Sequence, residues 1–231
     1  MNVTNNQNGC STSSAVTILE DLAVPTALAG ADISLNCNNP DDALDAAGSS
    51  QGPEFTYEWL LGGLVVGQGL SLPVTGAGDY TLLVTNTING CEASDQVLVF
   101  ADFAEPVANP GASVLLNCAQ PSSALDGTGS SQGPEFAYEW LLNGLPVGAD
   151  IFLPVDDPGI YTLIVTNTQN GCEASASVAV QADFVPPFAS AGFDVLLNCY
   201  NPSGTLLGTG SSVGPEYTYE WLLGGVVVGE V

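Results

Sequence analysis

The sequence has no lysine, no arginine and no histidine, against 25 aspartates and glutamates, and its formal net charge is −25. That imbalance removes whole classes of function. A nucleic-acid surface needs cations to neutralise phosphates, so nucleic acid is excluded as a partner. An anionic lipid surface is disfavoured for the same reason. Without histidine there is no Ser-His or Cys-His nucleophile pair. Without lysine there is no Schiff base and no phosphate-cradling P-loop. Side-chain salt bridges cannot form within the chain. Its acids must be solvated, hydrogen-bonded or neutralised by cations, and their repulsion should weaken as salt rises. Paired carboxylates are the one acid–base device left, as in glycosidases. Nothing singles out such a pair, so the chain reads as non-enzymatic.

Other features are missing too. No apolar run approaches the ~20 residues of a membrane-spanning helix, so no membrane insertion is expected. No stretch keeps a helical period. No charged-then-apolar leader opens the chain, so no signal peptide is expected within these residues. Yet 45% of the residues are apolar, too many for a disordered tail.

What the sequence does hold is a repeat. GPEFTYEWLL at 52–61 returns as GPEFAYEWLL at 133–142 and as GPEYTYEWLL at 214–223. Trp59, Trp140 and Trp221 are spaced 81 residues apart, and two cysteine series, Cys10, Cys91, Cys172 and Cys37, Cys118, Cys199, keep the same step. A fixed period of this length means one folded unit in tandem. A unit of that size buries roughly 60–65% of its unfolded surface, enough for a modest core. The expected organisation is 1–22 as the C-terminal strands of a preceding unit, 23–102 and 103–183 as full units, and 184–231 as the N-terminal part of a further unit.

Within a unit the signals are those of short strands. Phe55, Tyr57 and Trp59 alternate with Thr56, Glu58 and Leu60. Gly52-Pro53 turns into that strand and Gly62-Gly63 ends it. The Trp residues are expected in the core. Thr26 to Ala29 reads as a first strand, with a bend at Gly30 that recurs at Gly111 and Gly192. Tyr80, Leu82 and Val84 share one face of a later strand. Asn89-Gly90 predicts a type I′ hairpin, which needs two positive φ angles. Seven or eight short strands per unit predict an all-β, two-sheet sandwich.

Gly76-Ala77-Gly78-Asp79-Tyr80 resembles the tyrosine corner of immunoglobulin-like sandwiches, and Gly159-Ile160-Tyr161 repeats it. With Ala29-Gly30-Ala31-Asp32, Leu44-Asp45, Ser49-Ser50, Val84-Thr85-Asn86 and Asn89-Gly90-Cys91, the chain resembles the PKD-type or related immunoglobulin-like repeats of large secreted Bacteroidetes surface proteins. The likeness covers essentially the whole chain. It implies tandem β-sandwich domains with Tyr80 and Tyr161 as corner residues. Leu82 and Leu163 stand where an antibody domain has its second inter-sheet cysteine.

Six cysteines in so Gly/Ser/Thr-rich a chain favour an oxidising, extracellular compartment. Four-cysteine zinc lacks any C-x-x-C spacing here. Free buried thiols are a third option. Two disulfide pairings compete. Cys37 with Cys91 would tie one unit to itself. An immunoglobulin-like topology can set these two at opposite poles, and both pairings stay open. Stacked units would instead bring Cys37 or Cys118 to a neighbour's hairpin cysteine. Asp21, Asp102 and Asp183 sit at equivalent joints, each four residues before a proline. They are either solvated acids or calcium ligands; no other cofactor is indicated.

The ends of the chain lack only twelve positions of one unit, those matching Leu70 to Thr81. Either the chain is a window on a longer array, or the C-terminal part-unit of one molecule is completed by the N-terminal hairpin of the next. The expected function is a structural segment of an extracellular bacterial fibre or adhesin stalk, whose partners are copies of itself or adjacent repeats. Two rivals stand beside it: a glycan-binding module, which requires an exposed aromatic platform, and a spacer within a secreted hydrolase.

Overall fold

A computed structural model describes residues 1–230. β1 (Asn2–Thr4) and β2 (Ser11–Ser13) open the chain. The first full repeat adds β3 (Ile33–Asn36), β4 (Asp42–Asp45), β5 (Phe55–Leu61), β6 (Leu64–Gln68), β7 (Ser71–Val74), β8 (Gly78–Asn86) and β9 (Glu92–Asp102). Seven counterparts follow: β10 (Val114–Asn117), β11 (Ser123–Asp126), β12 (Phe136–Leu142), β13 (Leu145–Gly148), β14 (Phe152–Val155), β15 (Gly159–Asn167) and β16 (Glu173–Asp183). The third repeat contributes β17 (Glu220–Leu223) and β18 (Val226–Glu230). Among the described residues there is no helix.

The chain separates into two compact units. The first comprises Met1–Ala112, Leu125–Leu153 and Ile160–Val178. It contains a sandwich of a five-stranded sheet, order β3-β9-β8-β5-β6, and a two-stranded sheet, β4-β7. All strand pairs are antiparallel except β3 with β9. A parallel pair needs a long connection, and here β4 to β8 supply it. The alternation read from the sequence decides the faces. Trp59 lies opposite Leu82, and Tyr57 opposite Val84, in the β5–β8 register. Trp59, Leu82, Val84, Val97 and Val99 form the core with Leu35, Leu44 and Tyr80. Burying side chains of this size is worth roughly 1.5–3 kcal/mol each. The Trp59 indole N–H donates to the Gly69 carbonyl at 3.0 Å, so its polar handle is satisfied. Tyr80 donates its hydroxyl to the Gly76 carbonyl at 3.2 Å, closing a tyrosine corner. The fold is all-β, with tandem immunoglobulin-like sandwiches.

The same unit holds β12, β13 and β15 of the second repeat. Trp140 faces Leu163 and Tyr138 faces Val165, as their counterparts do 81 residues earlier. Trp140 is fully buried and donates to the Asp150 carbonyl at 2.9 Å; Tyr161, the counterpart of Tyr80, is buried as well.

Two local expectations fail for identifiable reasons. Residues 26–29 are not a strand. Serine hydroxyls take over the work of a ladder: Ser50 Oγ accepts from Thr26 N–H, and Ser49 Oγ both accepts from Leu28 N–H and donates to its carbonyl. The Asn89-Gly90 hairpin is not type I′, because only Gly90 has a positive φ, +73°. The loop is wider. Gly90 N–H donates back to the Asn86 carbonyl, and Asn86 N–H donates to the Cys91 carbonyl. The Asn89 side chain is thereby free to reach outside its own turn.

The second unit comprises Ser113–Ala124, Pro154–Gly159 and Ala179–Val231. In it β10 runs parallel to the end of β16, Val114 opposite Val180, with Leu116, Val155 and Val180 buried. In the third repeat only β17 and β18 pair, Trp221 opposite Gly229, the counterpart of Trp59 opposite Gly67. The segments matching β3 and β4 are not strands. Their partners in the complete repeat are β9 and β7, and no counterpart of either follows among the described residues of the third repeat.

Candidate functional site

The distinctive chemistry of the described residues is at a joint between repeats. β3 ends at Asn36, opposite Asp102 at the far end of β9, and Cys37 comes next. Cys91 precedes Glu92, at the other end of the same strand. Ten residues at about 3.3 Å per residue put roughly 33 Å between those ends, whereas a disulfide needs Cα atoms closer than about 7 Å. The Cys37–Cys91 pairing is therefore not made. Cys37 is bonded instead to Cys172, behind the hairpin of the following repeat, with Cα atoms 5.0 Å apart and a sequence separation of 135. Of the other candidate cysteines, Cys10, Cys118 and Cys199 are exposed free thiols and Cys91 is a half-buried one.

Hydrogen bonds lock the same joint. Cys37 N–H donates to the Asn170 carbonyl at 2.9 Å. Asn170 is almost fully buried. Its side-chain amide donates to the Ala104 carbonyl at 3.0 Å, and its Oδ1 accepts from Cys172 N–H at 3.0 Å. Asn89 does the same one repeat earlier, donating to Asp21 Oδ1 and to the Ala23 carbonyl, both at 3.1 Å. A β-carbon on Gly171 would strike the Asn38 side chain, so the closeness of the two loops requires glycine there. Sequence reasoning took these asparagines as turn formers only. Their recurrence as Asn-Gly-Cys at 8–10, 89–91 and 170–172 was the available signal.

The joint aspartates have a structural task. Asp21, Asp102 and Asp183 each accept from the backbone N–H two residues on, at 3.2, 3.0 and 3.2 Å. Such Asx turns stiffen a short linker. Among the described residues no group of three or more acids or cysteines is gathered as a metal ion would need. Asp126 has a carboxyl held by its own loop. Its hydrogen bonds from the Thr128 side chain, and then from the Thr128 N–H, hold it below the ordinary 3.8.

The second feature is an open core in the third repeat. Trp221, expected in the core, is only half-buried. It lines a cleft of about 730 Å³ together with Phe188, Tyr217 and Tyr219. At the other end of the chain the situation is reversed. Met1, Val3, Val16 and Ile18 are 91, 52, 89 and 85% exposed. They occupy the repeat positions of Leu82, Val84, Val97 and Val99, which are 0, 0, 2 and 1% exposed. The β1–β2 register, Val3 opposite Thr12 and Thr4 opposite Ser11, is that of Val84 opposite Ala93 and Thr85 opposite Glu92.

No family model matches the chain, and no curated protein does. Among solved structures, an I-band fragment of titin, I67-I69, is similar at 15% identity and TM-score 0.46, over 73% of this chain and 70% of that one. Extracellular domains 3-5 of Drosophila OTK give 16% and 0.30, over 78% and 71%. The N-terminal four Ig domains of a Dscam1 isoform give 16% and 0.29, over 79% and 53%. The immunoglobulin-like assignment above stands on strand order, register and the tyrosine corner.

Proposed function

We propose that this chain is a load-bearing segment of an extracellular bacterial fibre or adhesin stalk. The observation that carries the reading is the Cys37–Cys172 bond, which couples consecutive repeats covalently beyond their peptide linker. A disulfide of this kind belongs in an oxidising compartment. The charge of −25 favours a solvated, non-aggregating surface. No catalytic role is assigned to any residue.

Assembly proceeds head to tail by strand complementation. Residues 1–21 of one copy close the open third repeat of the next, with Met1 taking the place of Leu82 against Trp221 and Ile18 that of Val99. The exposed apolar faces at the two ends, and the matching hairpin register, support this occupant. Electron microscopy of the purified chain tests it. Filaments are expected from the intact chain and none from a chain lacking residues 1–21, and an added peptide of residues 1–21 should cap growth. Isolated short rods in every case overturn self-assembly. So does failure of the peptide to bind, the outcome if the third repeat is closed by further residues of its own chain.

A further inference from the structure

Four thiols remain after Cys37 and Cys172 are joined: Cys10, Cys91, Cys118 and Cys199. They belong to the same two series as the bonded pair. Cys118 and Cys199 follow Cys37 at steps of 81 residues, and Cys10 and Cys91 precede Cys172 at the same step. In the bonded pair, a strand-end cysteine takes the hairpin cysteine of the next repeat. By that rule Cys118 and Cys199 each pair with the hairpin cysteine of a following repeat, and Cys10 and Cys91 each with the strand-end cysteine of a preceding one.

The half-sites are already shaped. At the bonded strand end, Asn36 N–H donates to the Asn39 carbonyl at 2.9 Å and Asn36 Oδ1 accepts from Asn38 N–H at 3.0 Å. Around Cys118, Asn117 N–H donates to the Gln120 carbonyl at 3.0 Å and Asn117 Oδ1 accepts from Ala119 N–H at 2.9 Å. Around Cys199, Asn198 does the same with Asn201 and Tyr200, at 3.0 and 2.9 Å. The hairpins agree as closely. Cys172 N–H donates to Asn170 Oδ1 at 3.0 Å, Cys91 N–H to Asn89 Oδ1 at 2.9 Å, and Cys10 N–H to Asn8 Oδ1 at 3.1 Å. The carbonyls of all three accept from the asparagine five residues back, at 2.8 to 2.9 Å.

We propose that the partners of these four thiols come from a second copy of this chain, through two disulfides per joint: Cys118 with Cys10 of the second copy, and Cys199 with its Cys91. The inference rests on the head-to-tail reading above. When residues 1–21 of the second copy complete the third repeat, Cys10 becomes the hairpin cysteine following Cys118. Cys91 of the second copy is then the hairpin cysteine following Cys199. Every strand-end cysteine across a joint thus has one hairpin partner. Each bond forms from two thiols by exchange with a disulfide donor such as glutathione disulfide. The donor takes two electrons and two protons and leaves as two thiols. Strand insertion holds the copies in register, and the disulfides make the joint irreversible under load.

The test uses the full chain, grown separately with light and heavy nitrogen, reduced, mixed and reoxidised with glutathione disulfide. Trypsin has no site, since lysine and arginine are absent. A protease cutting after Asp and Glu releases each cysteine on its own peptide. The expected result is Cys118–Cys10 and Cys199–Cys91 peptide pairs, about half of them light–heavy hybrids, together with an SDS-resistant ladder on a non-reducing gel. A Cys118→Ser, Cys199→Ser variant should lose the ladder and keep its filaments under the microscope. Filaments whose four thiols all still react with an alkylating agent overturn the disulfides and leave the fibre reading standing. Single particles without filaments, or random pairing among the four, overturn the proposal; the former removes the fibre reading with it. Pairs found only as all-light or all-heavy place the bonds within one chain and overturn the second copy as donor.

Discussion

The backbone N–H of Cys37 donates to the carbonyl of Asn170 at 2.9 Å, in the same joint where the Cys37 sulfur is bonded to Cys172. A backbone hydrogen bond between residues of different repeats means that the two loops are fitted to one another, with the disulfide added to a contact already specified. The asparagine also spans the linker to Ala104. A covalent bond, a main-chain bond and a side-chain bond thus converge on one turn.

Breaking the covalent part should be costly. The bond closes a loop of 135 residues, for which the chain-entropy account gives about 5 kcal/mol and typical measurements roughly 2–4 kcal/mol. Reductant should lower the melting temperature of the native chain. The Cys37→Ser, Cys172→Ser variant should melt at that lowered temperature with or without reductant. Equal melting of native and variant chains under oxidising conditions would show that the bond carries no stability.

Asn170→Ala removes a buried amide and leaves the Ala104 carbonyl and the Cys172 N–H without it. A cost of about 1–3 kcal/mol is expected. Asn170→Asp should cost at least as much, since a carboxylate cannot donate to the Ala104 carbonyl. Denaturant titration of both variants, against Asn89→Ala at a more exposed position, reads the difference.

Tryptophan fluorescence separates the closed repeats from the open one. Trp59 and Trp140 are 0% exposed, while Trp221 is half-buried at a cleft. In unassembled chain, acrylamide should quench about one third of the emission readily. Trp221→Phe should abolish that accessible fraction. Assembly should protect it, because Met1 of a neighbour then covers the indole.

Glycine is needed at one bend and replaceable at one turn. Gly111 has φ +79° and a β-carbon there would lie 2.7 Å from the Asp126 carbonyl oxygen. Gly111→Ala should therefore destabilise by about 1–3 kcal/mol. Gly62, φ +59°, has open space around it, and its counterpart Asn143 adopts φ +50°. Gly62→Asn should shift stability by under about 0.5 kcal/mol. Thermal melts of the pair check both statements.

Salt and acid both weaken the repulsion among the carboxylates, one by screening and the other by protonation. Between 0.01 M and 1 M salt the screening length falls from about 30 Å to about 3 Å, so the melting temperature should rise. Asp126 adds a local dependence on pH. Its folded pKa is depressed below 3.8 by Thr128, so its contribution is present above that value and is lost as pH falls through the folded pKa. The difference in melting temperature between native chain and Asp126→Asn should therefore be present at neutral pH and vanish well below pH 3.8.

Much of the sandwich was legible because it is local. Trp59 and Tyr57 declare their strand by alternation, and Tyr80 declares its corner by the glycines before it. What escaped was set by competition from side chains. Ser49 and Ser50 replaced a strand ladder at residues 26–29, and Asn89 used its amide on Ala23 instead of adopting a positive φ. Propensity cannot register a hydroxyl or amide whose partner lies tens of residues away. Trp221 carries the same local signals as Trp59, yet its burial depends on strands that residues 184–230 do not contain.

Sequence alone determined the repeat, the all-β class and the exclusion of cationic chemistry, because period, alternation and composition are properties of the chain read in order. The tertiary structure decided the cysteine partner. Both pairings were open until the parallel β3–β9 register placed Cys37 at the pole where the next repeat begins, about a full strand away from Cys91. Which pole a residue occupies follows from strand direction within the sheet, and that direction is settled only when distant strands pair.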